Sequence, residues 1–532
     1  MRMGIRRARF WLLAAGAGVV SAAVLLATAE LMALLVARDA SPLLAVGSFV
    51  IDIVPQPLKE LAISTFGEYD KIALLAGLGL AVVVASAIAG VVEFARPFWG
   101  VALLTVGAGL AAAAILTRAG ATTFAFLPPL AGGAAGGVML WLLARRLRAW
   151  REAASAFARA DDDAEADRSA AGEAATGPSR RAFLTLALIS AATAVVVGVG
   201  ARAIAAVTSS IAGIRDALRL PAPRSKVSVP DGAEFDVPGL SPLITPNADF
   251  YRVDTALTVP SIDPQAWRLR IDGMVEQPLE LTFQELLDLG LDEYAITLTC
   301  VSNEVGGGLV GNAIWSGVPV RDLLRRARPV GGADMVLSRS TDGFTASTPL
   351  ETLTDDGRDA ILAVTMNGEP LPFEHGFPVR MVVPGLYGYV SATKWLTQLT
   401  VTTFEKDEAY WTPRGYSAKA PIKMSSRIDT PRAGTPIEAG ATMVAGMAWA
   451  QTIGIERVEV SIDDGDWQQA ELSAPLNADT WVQWRLPWEA PTGTHYVRAR
   501  AVDKNGTVQI QERAPIAPDG STGWQSLLIT VR

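Results

Sequence analysis

A chain of 532 residues with half its positions hydrophobic, 19 % charged and a net charge of −8 is neither disordered nor a single small domain. The negative charge argues against nucleic acid as a partner. One cysteine excludes an intrachain disulfide and a cysteine cage for zinc or an iron–sulfur cluster. The apolar residues are unevenly spread: residues 1–210 are rich in Ala, Leu, Val and Gly and poor in charge, whereas the remainder has the composition of an ordinary globular protein.

Five uncharged stretches are long enough to cross a bilayer: Phe10–Ala29, Ile72–Val92, Phe98–Thr117, Ala121–Ala144 and Ala182–Ala201. Each matches a hydrocarbon core of ~30 Å at about 1.5 Å per residue. Ser41–Val54 is shorter and carries Asp52, and reads as an interfacial or re-entrant piece. Arg2, Arg6, Arg7 and Arg9 precede the first span, and Arg145, Arg146, Arg148 and Arg151 follow the fourth. The positive-inside rule therefore puts the N-terminus and the segment after span four in the cytoplasm. Glu30 and Glu93, beside the apolar zone, are expected at the interface. Neither histidine, His375 or His495, falls in this half, so no axial ligands for a b-type haem exist there.

Trp150–Pro178 is rich in Ala, Asp and Glu and is expected to be a solvated linker. It leads to Ser179-Arg180-Arg181-Ala182-Phe183-Leu184, which is similar to a twin-arginine export signal; the alternative is that the arginines only anchor the fifth span on its cytoplasmic side. On the export reading, everything after the fifth span lies outside the membrane. Arg215–Pro230, with three prolines, reads as a stalk. A mixed α/β region follows. Trp267–Ile271 alternates like a strand, Thr282–Leu289 is a short helix with Thr282 and Glu285 as a capping box, and Tyr294–Thr299 is a strand ending at Cys300. Val320–Ala327 is a short basic helix and Val379–Val383 an apolar strand. From about Gly434 the pattern is all-β. Ile455–Ile462 and Trp467–Leu472 flank a turn at Asp463–Asp466, Trp481–Leu486 alternates, and His495–Val502 and Val508–Gln511 flank a turn at Asp503–Gly506. Short strands with frequent turns predict a β-sandwich of immunoglobulin type.

Cys300 is followed by Val-Ser-Asn303-Glu304 and then Gly306-Gly307-Gly308. A free thiol is ordinarily a buried apolar residue. As a nucleophile it needs a base, for which His375 is the local candidate. These residues alone leave a thiol hydrolase and a metal site both open. The run T-C-V-S-N-E, followed by I-W-S-G-V-P-V-R-D-L-L (Ile314–Leu324), resembles the molybdenum-binding segment of the sulfite oxidase family. Met366–Gly388 (M-N-G-E-P-L-P-F-E-H-G-F-P-V-R-M-V-V-P-G-L-Y-G), followed by Ala392-Thr393-Lys394-Trp395, resembles it too. Asn247-Ala248-Asp249-Phe250-Tyr251-Arg252 looks like the family's opening segment in the form found in periplasmic protein-methionine-sulfoxide reductases, and the C-terminal region resembles its dimerisation domain.

The resemblance implies a molybdenum–molybdopterin cofactor with one pterin, held through Cys300 as the metal's protein ligand. Asn247, Tyr251, Arg252, Ser340, His375, Arg380, Ala392, Thr393 and Lys394 match positions around the pterin and its phosphate. Arg380 and Lys394 suit a phosphate, the first as a bidentate fork and the second as a point charge. Two departures bear on the substrate. Glu304 stands where sulfite oxidases carry an arginine, and Gly388–Ser391 lacks a second one. An acid there repels a sulfite or nitrate dianion by ~1–4 kcal/mol, which favours a neutral or cationic substrate such as a sulfoxide or N-oxide, with Glu304 beside the reaction.

The expected architecture is thus an all-α transmembrane bundle, an α+β molybdopterin domain and an immunoglobulin-like sandwich. In residues, it comprises a four-helix membrane region (1–150), a cytoplasmic linker (151–181), a fifth membrane helix (182–206) and a stalk (207–235). The oxidoreductase domain (236–408) and a dimerisation-type domain (409–532) complete it. The implied protein is a multi-pass cell-membrane enzyme with an extracytoplasmic catalytic domain. It transfers an oxygen atom to or from a small substrate and exchanges electrons with a separate quinone or haem protein, holds no haem itself, and pairs as a homodimer. The alternatives are a cofactor-free scaffold on the same fold and a regulatory domain of a transporter or sensor.

Overall fold

The computed structural model describes residues 2–36, 46–47, 54, 65, 70–116, 124–163, 180–193 and 208–532. They belong to two compact units, Met1–Ser209 and Ser210–Arg532. The first contains α1 (Arg2–Val36), α2 (Asp70–Ala95), α3 (Trp99–Leu116) and α4 (Leu127–Asp163). Each holds a stretch long and apolar enough to cross a membrane: Arg9–Ala33, Ala73–Ala95, Trp99–Leu116 and Leu127–Ser155. Small residues let these helices approach closely. A Cβ on Gly18 of α1 would lie 1.9 Å from the Ser86 carbonyl oxygen, and one on Gly136 of α4 would lie 2.9 Å from that of Ser21. Such contacts suit lipid, where apolar burial gives little drive for helix association.

Several expectations for this unit are corrected. The fourth helix starts at Leu127, not Ala121, and runs unbroken to Asp163, so the first part of the predicted linker is helical. Its Ala, Arg and Glu residues are strong helix formers, and Trp150 is buried, edge-on to Phe10 at 5.3 Å and tilted against Phe183 at 6.3 Å. Glu93 makes its contacts among the helices. It is fully buried, its Oε2 accepts from the Val101 N–H at 3.3 Å, and Arg148 lies 3.7 Å from Oε1. The fifth predicted span is described as helix over 180–193, with Arg180 and Arg181 at its start; its remainder lies outside the described residues, as do nearly all of Ser41–Val54 and residues 164–179 of the linker.

The second unit opens with α5 (Thr208–Ala217). The predicted stalk does not stand free. Arg215 donates to the carbonyls of Leu371 (2.9 Å) and Pro370 (2.8 Å), Leu218 and Leu220 pack against the core, the Arg224 guanidinium pairs with Asp292, and the Val227 N–H donates to Glu293 (3.0 Å). The prolines set an extended path for the chain; the cations and leucines between them strap it down.

Two sheets form the centre of this unit. The first has the order β2-β1-β10-β5-β6, built from β1 (Arg268–Gly273), β2 (Leu279–Thr282), β5 (Met335–Ser340), β6 (Thr345–Pro349) and β10 (Leu396–Thr402). Only the β1–β10 pair is parallel. The second sheet is antiparallel: β3 (Asp292–Thr299), β4 (Val310–Pro319), β7 (Ile361–Met366) and β8 (Glu369–Pro370), with β9 (Arg380–Val382) also pairing β7. The helix Phe283–Leu287 is capped by Thr282 with the full Thr282–Glu285 capping box, as the spacing predicts. The helix Val320–Ala327 has the predicted bounds.

The C-terminal region forms two four-stranded antiparallel sheets. One has the order β11-β12-β16-β15 and the other β14-β13-β17-β18. The strands are β11 (Ser425–Thr430), β12 (Gly440–Trp449), β13 (Ile455–Ile462), β14 (Gln468–Gln469), β15 (Glu471–Leu472), β16 (Val482–Ala490), β17 (Gly493–Asp503) and β18 (Gln525–Val531). They share a core that includes Val444, Val460, Trp484, Val497 and Ile529. The predicted strand Trp467–Leu472 is split here, because β14 pairs β13 whereas β15 crosses to pair β16 in the other sheet. The second predicted hairpin shrinks to a single bridge, Val502↔Val508.

A buried polar network ties these sheets to the centre of the unit. Thr297 Oγ1 donates to Asn312 Oδ1 (3.0 Å) and accepts from the Trp481 N–H (2.8 Å), while Trp481 Nε1 donates to the Leu243 carbonyl (2.8 Å). The Thr297 N–H donates to the Asp479 carbonyl at 3.0 Å. Burial, and then the negative charge of Asp359, pushes the Asp479 carboxyl up to about 6 despite the Thr452 N–H beside it. A carboxyl raised in the folded state weakens that state wherever it is ionised. The loss is complete above the folded value and fades as pH falls toward the ordinary aspartate value of about 4. Asp479→Asn is therefore expected to stabilise the protein by about 1–3 kcal/mol at neutral pH and by nothing at about pH 4. Denaturant unfolding at both pH values checks this, and a pH-independent effect would contradict it.

Candidate active site

Strand β3 is buried along its second half, which brings Cys300 to the bottom of a cleft with about 900 Å³ of empty space, part of it open to solvent. Beyond the strand the chain turns on itself. The Cys300 N–H donates to the Leu309 carbonyl (2.9 Å), the Asn303 N–H to the Cys300 carbonyl (3.0 Å), and the Leu309 N–H to Asn303 Oδ1 (2.8 Å). Burial pushes the Cys300 thiol up, opposed by Ser302 and by the charge of Lys394.

The opposite wall carries two buried cations. Arg380 opens β9. Its Nη1 donates to the His375 carbonyl (3.1 Å), its guanidinium carbon lies 5.1 Å from the Trp315 ring centre, and its Nε is buried without a partner. Among the described residues no carboxylate is within ion-pair distance of it. Desolvation lowers its pKa to about 10. Lys394 Nζ donates to Asp254 Oδ2 and to the Glu374 carbonyl, both at 2.9 Å, and lies 4.9 Å from the Trp395 ring centre. Burial lowers it to about 8, against the pull of Asp254.

The turn Phe373–His375 fits between these cations. It ends at Gly376 with φ +113°, where a Cβ would lie 3.0 Å from that of Arg380 and 3.1 Å from the Lys394 Cα. Only glycine takes this conformation in this space. His375 is pushed down to about 4, first by burial and then by Arg380 and Lys394. It is therefore neutral at physiological pH, and its Nε2 donates to the Asn247 carbonyl at 3.2 Å.

The sequence-derived residues are only partly brought together. Cys300, Tyr251, Ser340, His375, Arg380, Ala392 and Lys394 line the cleft. Tyr251 stacks on Phe250 at 5.2 Å, and burial, then Cys300, raises its phenol well above the ordinary value. Four residues do not reach the wall. Asn247 supports it from behind, accepting from Asn367 Nδ2 at 2.9 Å. Arg252 turns aside to share Asp254 with Lys394. Thr393 is buried against Ser338, hydroxyl to hydroxyl at 2.7 Å. Glu304 is exposed and absent from the cleft lining, because the chain turns away at Asn303.

Sequence reasoning missed Asp254 and Asp342, and an aromatic wall in which Trp411 lies 5.2 Å and Tyr389 5.5 Å from Tyr416. The signal available was the density of aromatics in Tyr410-Trp411 and Tyr416.

Residues 256–411 match the oxidoreductase molybdopterin binding domain family. Mitochondrial sulfite oxidase of Rattus norvegicus is 32 % identical over 350 residues, covering 57 % of this chain and 64 % of that protein. Sulfite oxidase of Gallus gallus is 30 % identical over 321 residues, covering 51 % and 69 %. The chain belongs to the sulfite oxidase family. NADH nitrate reductase of Spinacia oleracea, 29 % identical over 270 residues, covers 40 % of this chain and 29 % of its own length. The chain thus spans a little under two thirds of the length of the rat relative. The family's molybdopterin fits the cleft chemically: a soft thiol faces a partnerless buried guanidinium nitrogen and a second buried cation, the donors that a metal dithiolene and a phosphate require.

The two histidines should be distinguishable in solution. Asp463 accepts from His495 Nδ1 at 2.6 Å and raises it, whereas His375 is held down. In a 15N-histidine titration of the full chain, the His495 imidazole is expected to change charge above the ordinary histidine value, because Asp463 favours its protonated form. The other should stay neutral until about pH 4. Two overlapping curves near the ordinary histidine value would contradict this geometry.

Proposed function

We propose that this protein is a membrane-anchored, extracytoplasmic molybdopterin oxidoreductase that moves an oxygen atom to or from a small neutral substrate, such as a sulfoxide or N-oxide. The observation that carries this reading is the convergence of Cys300, Arg380 and Lys394 on one cleft inside the family-matched segment.

On this reading Cys300 is the protein ligand of molybdenum, suited to a high-valent metal as a soft, charge-donating sulfur. Arg380 and Lys394 hold the pterin phosphate, and Tyr251, Ser340, His375 and Ala392 shape the pterin slot. Asn247, Arg252 and Thr393 act from behind, through His375, Asp254 and Ser338. When bound, the molybdenum supplies the two-electron redox chemistry; the protein contributes orientation, dryness and charge. His375, being neutral, offers a hydrogen bond without a third positive charge. Glu304 is exposed outside the cleft, so the case against a dianionic substrate rests instead on the cations. Among the described lining residues Arg380 and Lys394 are the only charged bases, and the phosphate uses both.

Four membrane-length helices support the anchor, and Arg180-Arg181 at the start of the 180–193 helix is consistent with export of a folded, cofactor-loaded domain. The paired C-terminal sheets serve as an immunoglobulin-like dimerisation module. Electrons pass to or from a separate quinone or haem protein.

Metal and pterin analysis of the purified full chain tests the reading. Wild type is expected to carry near-stoichiometric molybdenum with fluorescent oxidised pterin. Cys300→Ser should retain pterin with an altered metal site, and Arg380→Met should lose pterin about tenfold or more. Wild-type protein free of both, from a host that makes the cofactor, would leave a scaffold on this fold.

A further inference from the structure

The loop that carries Cys300 is held by residues more than a hundred positions away. Residues 300–309 contain three consecutive glycines, Gly306–Gly308, and little regular hydrogen bonding beyond the turn at Asn303. Such a segment has high intrinsic freedom. Two contacts from the C-terminal sheets restrain it. Ser521 Oγ donates to the Asn303 carbonyl at 2.7 Å, and Arg427 Nη1 donates to the Gly307 carbonyl at 3.2 Å. Arg427 is itself buried and fixed, its Nε 2.6 Å from Asp429 Oδ1.

The segment 518–521, which carries Ser521, also reaches the other flank of the cleft. Lys423 Nζ pairs with Asp519 at 2.8 Å and donates to the Gly520 carbonyl at 2.9 Å. Gly520 lies so close to Tyr387 that a Cβ would be 2.4 Å from its hydroxyl. The Ser417 N–H donates to the Pro518 carbonyl at 2.9 Å, and Tyr389, which lines the cleft, donates its hydroxyl to the Ser417 carbonyl at 2.7 Å. A four-residue turn, 518–521, therefore braces both the thiol loop and an aromatic wall residue.

We propose that the 518–521 turn, through Ser521 and with Arg427 beside it, is a positioning element of the Cys300 site, so that the C-terminal sheets are a working part of the metal site as well as an interface module. Ser521 acts through the Asn303 carbonyl. Asn303 in turn fixes Cys300 on one side and Leu309 on the other, which sets the depth and direction of the thiol. The metal-ligand role of Cys300 rests on the function proposed above; the restraint on its loop does not.

Cys300 is the only cysteine, so thiol labelling reports on this loop alone. In the full chain prepared without cofactor, Ser521→Ala and Arg427→Lys are each expected to speed maleimide labelling about fivefold, the effect of losing one hydrogen bond on local opening. Ser521→Thr, which keeps the hydroxyl, should label at the wild-type rate, and the thermal midpoint should change little in all three. In the molybdenum-loaded chain, Ser521→Ala should shift the Mo(V) electron paramagnetic resonance g-values and Ser521→Thr restore them. Labelling within about twofold of wild type in both Ser521→Ala and Arg427→Lys overturns the proposal. So does acceleration that only tracks a fall in global stability. Wild-type protein lacking molybdenum would sink the enzyme reading while the labelling still decides the loop.

Discussion

Burying Arg380 and Lys394 in one cleft takes two positive charges out of water, and among the described residues Asp254 is the carboxylate within ion-pair distance of either. Desolvating a cation without a counter-charge is expensive enough that the group moves toward neutrality, and both pKa values fall accordingly. A fold that keeps such a pair must hold it rigidly and must expect an anion. The surroundings meet the first requirement: the Phe373–His375 turn, the space that only Gly376 can fill, and carbonyls of His375 and Glu374 aimed at the cations. The bare Nε of Arg380 speaks to the second. His375 belongs to the same balance, since a protonated imidazole there would add a third positive charge beside Arg380 and Lys394.

The thiol reaches this pair because two sheets end at the same place. Strand β3 buries its second half and stops at Cys300. Strand β9 begins at Arg380, and the segment entering β10 delivers Lys394. Their relative positions depend on polar groups buried far from the cleft. Thr297, two residues before the end of β3, is tied through Asn312 and Trp481 to the C-terminal sheets. A buried network of this kind fixes register more sharply than apolar packing does, because a slip leaves several polar groups unpaired.

What could be read from the sequence was local or periodic. The capping box at Thr282 and Glu285, the amphipathic helix Val320–Ala327 and the strand that leads to Cys300 are set by neighbours along the chain, and they appear where the spacing puts them, although that strand is buried continuously over its second half and does not alternate. The four membrane-length helices follow from apolar length alone. Two of the failures share a cause: each depended on a partner distant in sequence. Trp467–Leu472 alternates like one strand, but a sandwich has two sheets and the chain changes between them at Ala470. Arg215–Pro230 looked like a stalk because nothing local shows that Leu371, Asp292 and Glu293 wait to receive it. Glu304 was taken into the site because it stands where sulfite oxidases carry an arginine, yet it is exposed and does not line the cleft. Conversely Asp254 and Trp411, distant from Cys300 in sequence, stand in the same cleft.

The misplacement of Glu304 changes the basis of substrate choice without reversing it. A repelling acid beside the metal would disfavour anions by direct Coulomb opposition; an exposed acid beyond the turn is screened by water and does little. What remains is a count of charges inside the cleft. On the proposed reading a phosphate-bearing group draws on both Arg380 and Lys394, and the rest of the lining is aromatic or neutral apart from the acids Asp254 and Asp342. A dianionic substrate entering such a space would give up its hydration and find no charge left to replace it. A polar but uncharged oxygen donor or acceptor gives up less and can lie against the faces of Tyr389, Trp411 and Tyr416, whose mutual edge contacts hold that wall in place. On that reading the same two cations that hold the cofactor limit what can react beside it.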